Sequence, residues 1–173
     1  MKFLTLMVML ASLWQTGALE GRIEGTLGTK LFVGQEYTGS ISSNVSAAMR
    51  KSTTSAQSQT MTISTVDKNG TELSLYIRDL RCLKTKQNIP IDAHGRVTLM
   101  INTPTSNNSQ ISYGMGGNPY TGMISQVVYE PKSNTISFEV NGRIGSFLSK
   151  GKSIELKNLK FANIKLSGQK LGV

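Results

Sequence analysis

His94 is the single histidine of the chain and lies in Asp92-Ala93-His94-Gly95, two residues after a carboxylate. An imidazole oriented by a carboxylate beside a nucleophile can carry out acyl transfer, so a hydrolase using His94 is one reading of this sequence. Many serines are available, but none stands in the G-x-S-x-G elbow that would expose one as a nucleophile. Asp and Gly ahead of an apolar run also fill ordinary turn positions, and a turn accounts for the stretch with no further residues. Cys82 is the only cysteine, so one chain cannot form a disulfide. It reads as a small buried apolar residue or as a thiol offered to another chain. No residue is assigned a catalytic role.

Cofactor chemistry finds little support. One His and one Cys do not complete a zinc site, and the ten carboxylates include no D-x-D-x-D-G loop for calcium. Gly151-Lys152-Ser153 ends like a phosphate-binding loop, yet Ser146 stands where the first glycine is needed and a strand-like Ile154–Leu156 follows. Gly114–Gly122 (GMGGNPYTG) is broken by Pro119 and is not a dinucleotide fingerprint. The expectation is no cofactor and no metal.

The basic residues make the clearer case. The formal charge is +9, a balance that bears on anionic partners and solubility rather than on fold. From Arg143 to Val173 there are seven Lys or Arg against one acid, Glu155. If the apolar residues of the last strand face inward, Lys157, Lys160 and Lys165 all face outward as a stripe. Arg78, Arg81, Lys84 and Lys86 form a second cluster, and Arg50-Lys51 a third. Such a surface suits an anionic glycan, a glycolipid or a membrane surface. A solvated sheet face whose lysines block edge-to-edge pairing accounts for it more simply. Aromatic residues interleaved with the charges, as base stacking requires, are missing, which disfavours nucleic acid. No protein partner is indicated.

Strands must position these residues. Met61 and Ile63 alternate with Thr60, Thr62 and Ser64, then Asp67-Lys68-Asn69-Gly70 supplies turn chemistry, and Leu73, Leu75 and Ile77 follow on one face. Gln59–Ile77 is therefore a predicted β-hairpin. Val97, Leu99 and Ile101 alternate again before a PTSNN loop at Pro104–Asn108, and Gly114–Gly122 reads as another loop. Met123–Tyr129 and Thr135–Asn141 form a strand pair about a turn at Glu130–Asn134, with Ile136, Phe138 and Val140 inward. Asn141-Gly142 reads as a second Asn-Gly turn leading into Arg143–Leu148. In the last strand Ile154 and Leu156 share one parity, Leu159 and Phe161 the other, and Ile164 and Leu166 revert, which predicts two β-bulges. Ser46–Lys51 permits one helical turn.

The fold class predicted is all-β, an antiparallel β-sandwich or flattened barrel of roughly eight to ten strands. A cleavable signal peptide helix precedes it. Lys2, the apolar run Phe3–Trp14 and the small residues Thr16-Gly17-Ala18 match a secretory signal with cleavage after Ala18. The apolar run is too short for a permanent membrane helix. Residues 19–28 are then a flexible lead-in and 29–173 one β domain, secreted or periplasmic, without a lipid anchor because no cysteine follows the cut. Asn44, Asn69 and Asn107 open N-glycosylation patterns, which matter only in a eukaryotic source.

From Gln59 onward, over about 90 residues, the layout resembles a family of small secreted bacterial β-sandwich domains of uncharacterised function. The hairpin QTMTISTVDKNGTELSLYI and the ending YEPKSNTISFEVNGRIGSF with KSIELKNLKFANIKL carry the resemblance, with Leu159 where a glycine is usual. It implies export and a sandwich fold, and it implies no catalytic residues. Three functions remain: a non-enzymatic surface-binding module with a basic face, a lipocalin-like small-ligand carrier whose mouth is formed by the PTSNN and GMGGNPYTG loops, and a hydrolase using His94.

Overall fold

Strict alternation of apolar and polar side chains builds one wall of this molecule, and bulges bend the other. The computed structural model describes residues 21–44, 58–85, 88–91, 96–107, 109–114 and 117–171. Its strands are β1 (Arg22–Leu27), β2 (Lys30–Asn44), β3 (Ser58–Asp67), β4 (Glu72–Ile77), β5 (Ile89–Ile91) and β6 (Val97–Pro104). The series continues with β7 (Gln110–Tyr113), β8 (Tyr120–Glu130), β9 (Thr135–Gly145), β10 (Ser153–Lys165) and β11 (Ser167–Gly168). The eleven strands form one sheet in the order β5-β8-β9-β10-β1-β2-β3-β4-β6-β7, with β11 parallel to β2 and every other pairing antiparallel. The sheet is curled into a half-barrel. Eleven exceeds the eight to ten expected because β5, β7 and β11 have four residues or fewer.

The wall β3-β4-β6 keeps an unbroken register. Leu73, Leu75, Ile77, Val97, Leu99 and Ile101 are all fully buried there, with Met61 and Ile63 beside them. The predicted hairpin is present, and its turn is held by Asp67, whose carboxylate accepts hydrogen bonds from the Asn69 and Thr71 N–H groups (2.8 Å each).

The wall β8-β9-β10 is bent. Both phase slips of the last strand are bulges: register against β9 shifts between Leu156 and Leu159 and again between Phe161 and Ile164. Asn158 and Asn163 occupy those places with φ of 48° and 51°, a left-handed conformation that Asn tolerates better than most residues. A third bulge lies in β8 between Ser125 and Val128, where Gln126 has φ 55°. Each extra residue increases local twist. Tyr120 then reaches the opposite wall. Its hydroxyl accepts from the Leu99 N–H (2.9 Å) and donates to the Leu99 carbonyl (3.2 Å), serving backbone groups that β7, ending opposite Ile101, does not reach.

Three expectations need correction. The lead-in of 19–28 contains β1, a central strand paired with both β10 and β2 and burying Ile23 and Leu27. Its Glu and Gly residues disguised it, yet glycine is required there: a Cβ on Gly25 would lie 2.5 Å from the Leu159 Cα. Asn141-Gly142 is not a turn, because β9 runs through it. The Asn141 side-chain oxygen accepts from the Asn158 N–H (2.7 Å), satisfying the bulge opposite. Arg143–Leu148 is accordingly the end of β9 followed by the connection to β10. Tyr120–Gly122, read as loop, begins β8.

One end of the half-barrel is closed. The 3-10 helix Leu80–Thr85 buries Leu80 and Leu83, and the C-terminal segment buries Leu166 and Leu171. The β1–β2, β3–β4, β6–β7 and β9–β10 connections all lie at the other end. No helix among the described residues is long and apolar enough to cross a membrane. Met1–Ala18, Ser46–Lys51, Lys86, Asp92 and His94 lie outside the described residues.

Candidate functional site

At the end opposite the 3-10 helix the β1–β2, β3–β4 and β6–β7 hairpins and the first residues of β10 line a cavity of about 670 Å³. Its floor is apolar. Leu27, Phe32, Tyr113 and Ile154 are buried beneath it and Ile111 is half-buried at the side. Its rim is polar, carrying Thr29, Lys30, Asn69, Thr71, Thr103 and Ser153. The one carboxylate in the lining, Asp67, is 7% exposed and engaged by the N–H groups of its own turn. Among the described residues Lys30 is the only cationic side chain in the lining, and it is exposed. An apolar floor under a few placed polar groups, at this volume, is the common form of a small-ligand site. The chemistry on offer is burial of an apolar body, hydrogen bonding of a polar head by hydroxyls and amides, and attraction of a negative charge by Lys30.

The basic stripe stands where strand parity places it: Lys157, Lys160 and Lys165 are all exposed on β10. Cross-strand register changes its electrostatics. Lys160 sits between Glu24 of β1 and Glu139 of β9, and Lys157 pairs with Glu155 at 3.1 Å. Lys165, opposite Thr135, has no acid in register. An open groove of about 530 Å³ beside this stripe includes Glu139 and Lys160 together, opposite charges on one surface.

The second cluster lies at the closed end. Arg78 is exposed, and Arg81 forms a two-bonded ion pair with Asp79 (2.8 and 2.7 Å). The hydrogen bonds from Arg81 hold the Asp79 carboxyl below the usual carboxylate range. Lys84 follows on the 3-10 helix and nothing is described of its side chain. Stripe and cluster occupy different parts of the molecule and neither reaches the cavity.

Cys82 is half-buried against the core. Burial pushes its thiol pKa up, and the Asp79 carboxylate nearby adds to the effect. A raised pKa leaves less thiolate at a given pH, and the thiolate is the nucleophile. At pH 8 the native thiol is expected to react with a disulfide reagent several-fold more slowly than the urea-unfolded chain. Equal rates would contradict this placement. Among the described residues no group of three or more His, Cys, Asp or Glu side chains could hold a metal ion.

Comparison with family models, curated proteins and solved structures finds no match. The class defined by fold and site is thus an all-β half-barrel with a cavity at one end. Of the two loops that the sequence offers as a carrier's mouth, the PTSNN loop contributes Pro104 to the lining, and no described residue of Gly114–Gly122 lines it. Sequence reasoning missed the β1–β2 hairpin, which supplies Leu27 to Phe32. The available signal was Gly28-Thr29 followed by the apolar run Leu31-Phe32-Val33.

Proposed function

We propose that this chain is an exported, non-enzymatic binding domain that takes an amphipathic small ligand in the end cavity. The observation that carries the reading is the apolar floor of Leu27, Phe32, Tyr113 and Ile154 beneath a hydroxyl, amide and lysine rim. A ligand with an apolar body and a polar or anionic head complements both parts. Among the described residues the lining holds no histidine or cysteine, and the Asp67 carboxylate is tied into its own turn by the Asn69 and Thr71 N–H groups. Export rests on Met1–Ala18, and cleavage after Ala18 leaves β1, which begins at Arg22, intact.

This reading favours the carrier over the basic-face module. Of the three stripe lysines, only Lys165 lacks an acid neighbour in register or in an ion pair. A pairwise-compensated surface attracts a polyanion less than an uncompensated one.

Native mass spectrometry of freshly purified protein tests the proposal, with titration of a fluorescent fatty-acyl probe as the second readout. A lipid-like adduct or saturable probe binding is expected, and Ile111→Trp, which fills the cavity from its half-buried wall, is expected to abolish it while far-UV circular dichroism is unchanged. Wild-type protein with neither adduct nor probe binding would remove the reading.

A further inference from the structure

The connections around the cavity carry two features that a freely solvated rim does not need. Large apolar side chains point into water: Leu31 at 72% exposure, Leu148 at 72% and Phe147 at 43%. Lysines stand on the same connections: Lys30 next to Leu31, Lys68 in the β3–β4 turn, and Lys150 and Lys152 in the β9–β10 connection, all exposed. None of the three ion pairs among the described residues engages these lysines.

The β9–β10 connection is built to present its tip. The Ser146 N–H donates to the Lys152 carbonyl (2.8 Å), the Lys152 N–H to the Ser149 carbonyl (3.1 Å), and the Ser149 N–H to the Ser146 hydroxyl (3.0 Å). Ser146 itself is buried. This network closes the loop on itself and leaves Phe147 and Leu148 projecting. The β1–β2 hairpin stands beside it, tied by the Gly28 N–H to the Glu155 carbonyl (2.7 Å). Of the acids near this end, Asp67 is buried in its turn, Glu155 is paired with Lys157, and Glu72 at the start of β4 is exposed and accepts from the Asn102 amide (3.1 Å).

We infer that this end of the half-barrel docks onto an anionic lipid bilayer, with Leu31, Phe147 and Leu148 entering the acyl boundary and the four lysines meeting headgroup phosphates. Apolar tips with lysines on the same connections match the layered chemistry of a membrane interface. A second copy of the chain fits less well, because rim-to-rim packing sets lysine against lysine. A soluble polyanion would use the lysines and leave the apolar tips in water. The inference rests on the exported-binder reading for its setting and extends it: the cavity opens among the docked tips, so an acyl chain passes from bilayer to floor without crossing bulk water.

The test uses protein recovered from the exported fraction, its N-terminus at Leu19 verified by mass, so that the apolar run Phe3–Trp14 contributes nothing. Sedimentation with vesicles of phosphatidylcholine mixed with phosphatidylglycerol is expected to carry the protein down, less so as salt rises. The double variant Phe147→Asp/Leu148→Asp is expected to reduce partitioning by about tenfold or more, judged from the apolar area withdrawn. Each charge lost in Lys150→Glu/Lys152→Glu should reduce it by about fivefold. Lys160→Glu/Lys165→Glu, on the outer face of β10 away from this end, should leave it unchanged. Circular dichroism verifies that each variant folds. Vesicle binding that survives both loop variants, no vesicle binding by wild type, or a dimer that the Phe147/Leu148 variant dissociates would each overturn the inference. Loss of vesicle binding with the mass adduct retained leaves the cavity reading standing; the reverse pattern removes the cavity reading alone.

Discussion

Phe161→Ala is expected to lower the free energy of unfolding by about 4 kcal/mol. Phe161 is 1% exposed in β10, between the two bulges of that strand. Its ring stacks on Phe138 of β9, centroids 4.4 Å apart with 19° between planes. Truncation withdraws the transfer free energy of the ring, leaves a cavity that a sheet wall cannot collapse to fill, and removes an aromatic pair worth roughly 1 kcal/mol. A domain of this size has about 5–15 kcal/mol in total, so the change is a large share of it. Urea denaturation followed by fluorescence measures it: the midpoint should fall steeply with the slope preserved. Phe147→Ala serves as the comparison, since that ring is 43% exposed and its loss should move the midpoint little. Equal shifts for the two would mean that Phe161 is not a core residue.

The second large effect is expected at Gly142. A Cβ there would overlap the Thr121 carbonyl oxygen and come within 2.5 Å of the Gly122 Cα. Both neighbours are backbone of β8, and Gly122 is the register partner of Gly142, so the two strands touch with no side chain between them. This close approach lies on the bent wall. Gly142→Val must separate β8 from β9, at about 3 kcal/mol or more. Gly151 sets the contrast: nothing lies within 4 Å of its Cβ position, but φ is +79°. Gly151→Ala should therefore cost only about 1–2 kcal/mol, the ordinary left-handed penalty. Denaturation midpoints rank the pair, and hydrogen exchange should show protection lost along β8 and β9 in Gly142→Val alone. A Gly142 variant as stable as wild type would show that the two backbones do not approach so closely.

The two glycines also show what a linear reading captures. Asn-Gly at Asn69-Gly70 and at Asn141-Gly142 look alike as dipeptides. The first is a turn because Asp67 caps it and apolar alternation reverses on each side. The second lies inside a strand because a bulge in the next strand, β10, needs the Asn141 oxygen and β8 needs the space of Gly142. Likewise the outward direction of Lys157, Lys160 and Lys165 follows from parity, a local property. The acids on either side of Lys160 come from β1 and β9, which only register supplies.

The candidate site was mostly illegible for the same reason. Its lining comes from residues 27–32, 67–71, 103–113 and 153–154. Each piece alone is an unremarkable turn or strand end, so no motif announces it. The exposed tips, Leu31, Phe147 and Leu148, are indistinguishable in sequence from core residues until burial is known.

By itself the sequence determined the alternating strands, the hairpin about Asp67–Gly70, both bulges of β10 and the net positive charge. All of these depend on periodicity and composition, which act over a few residues. The tertiary structure alone decided that β1 is a central strand, that β9 runs through Asn141-Gly142, that Lys160 lies between acids of two neighbouring strands, and that three hairpins and the start of β10 line a cavity. Those depend on which strands become neighbours, and that is set by burying a shared core between segments far apart in the chain.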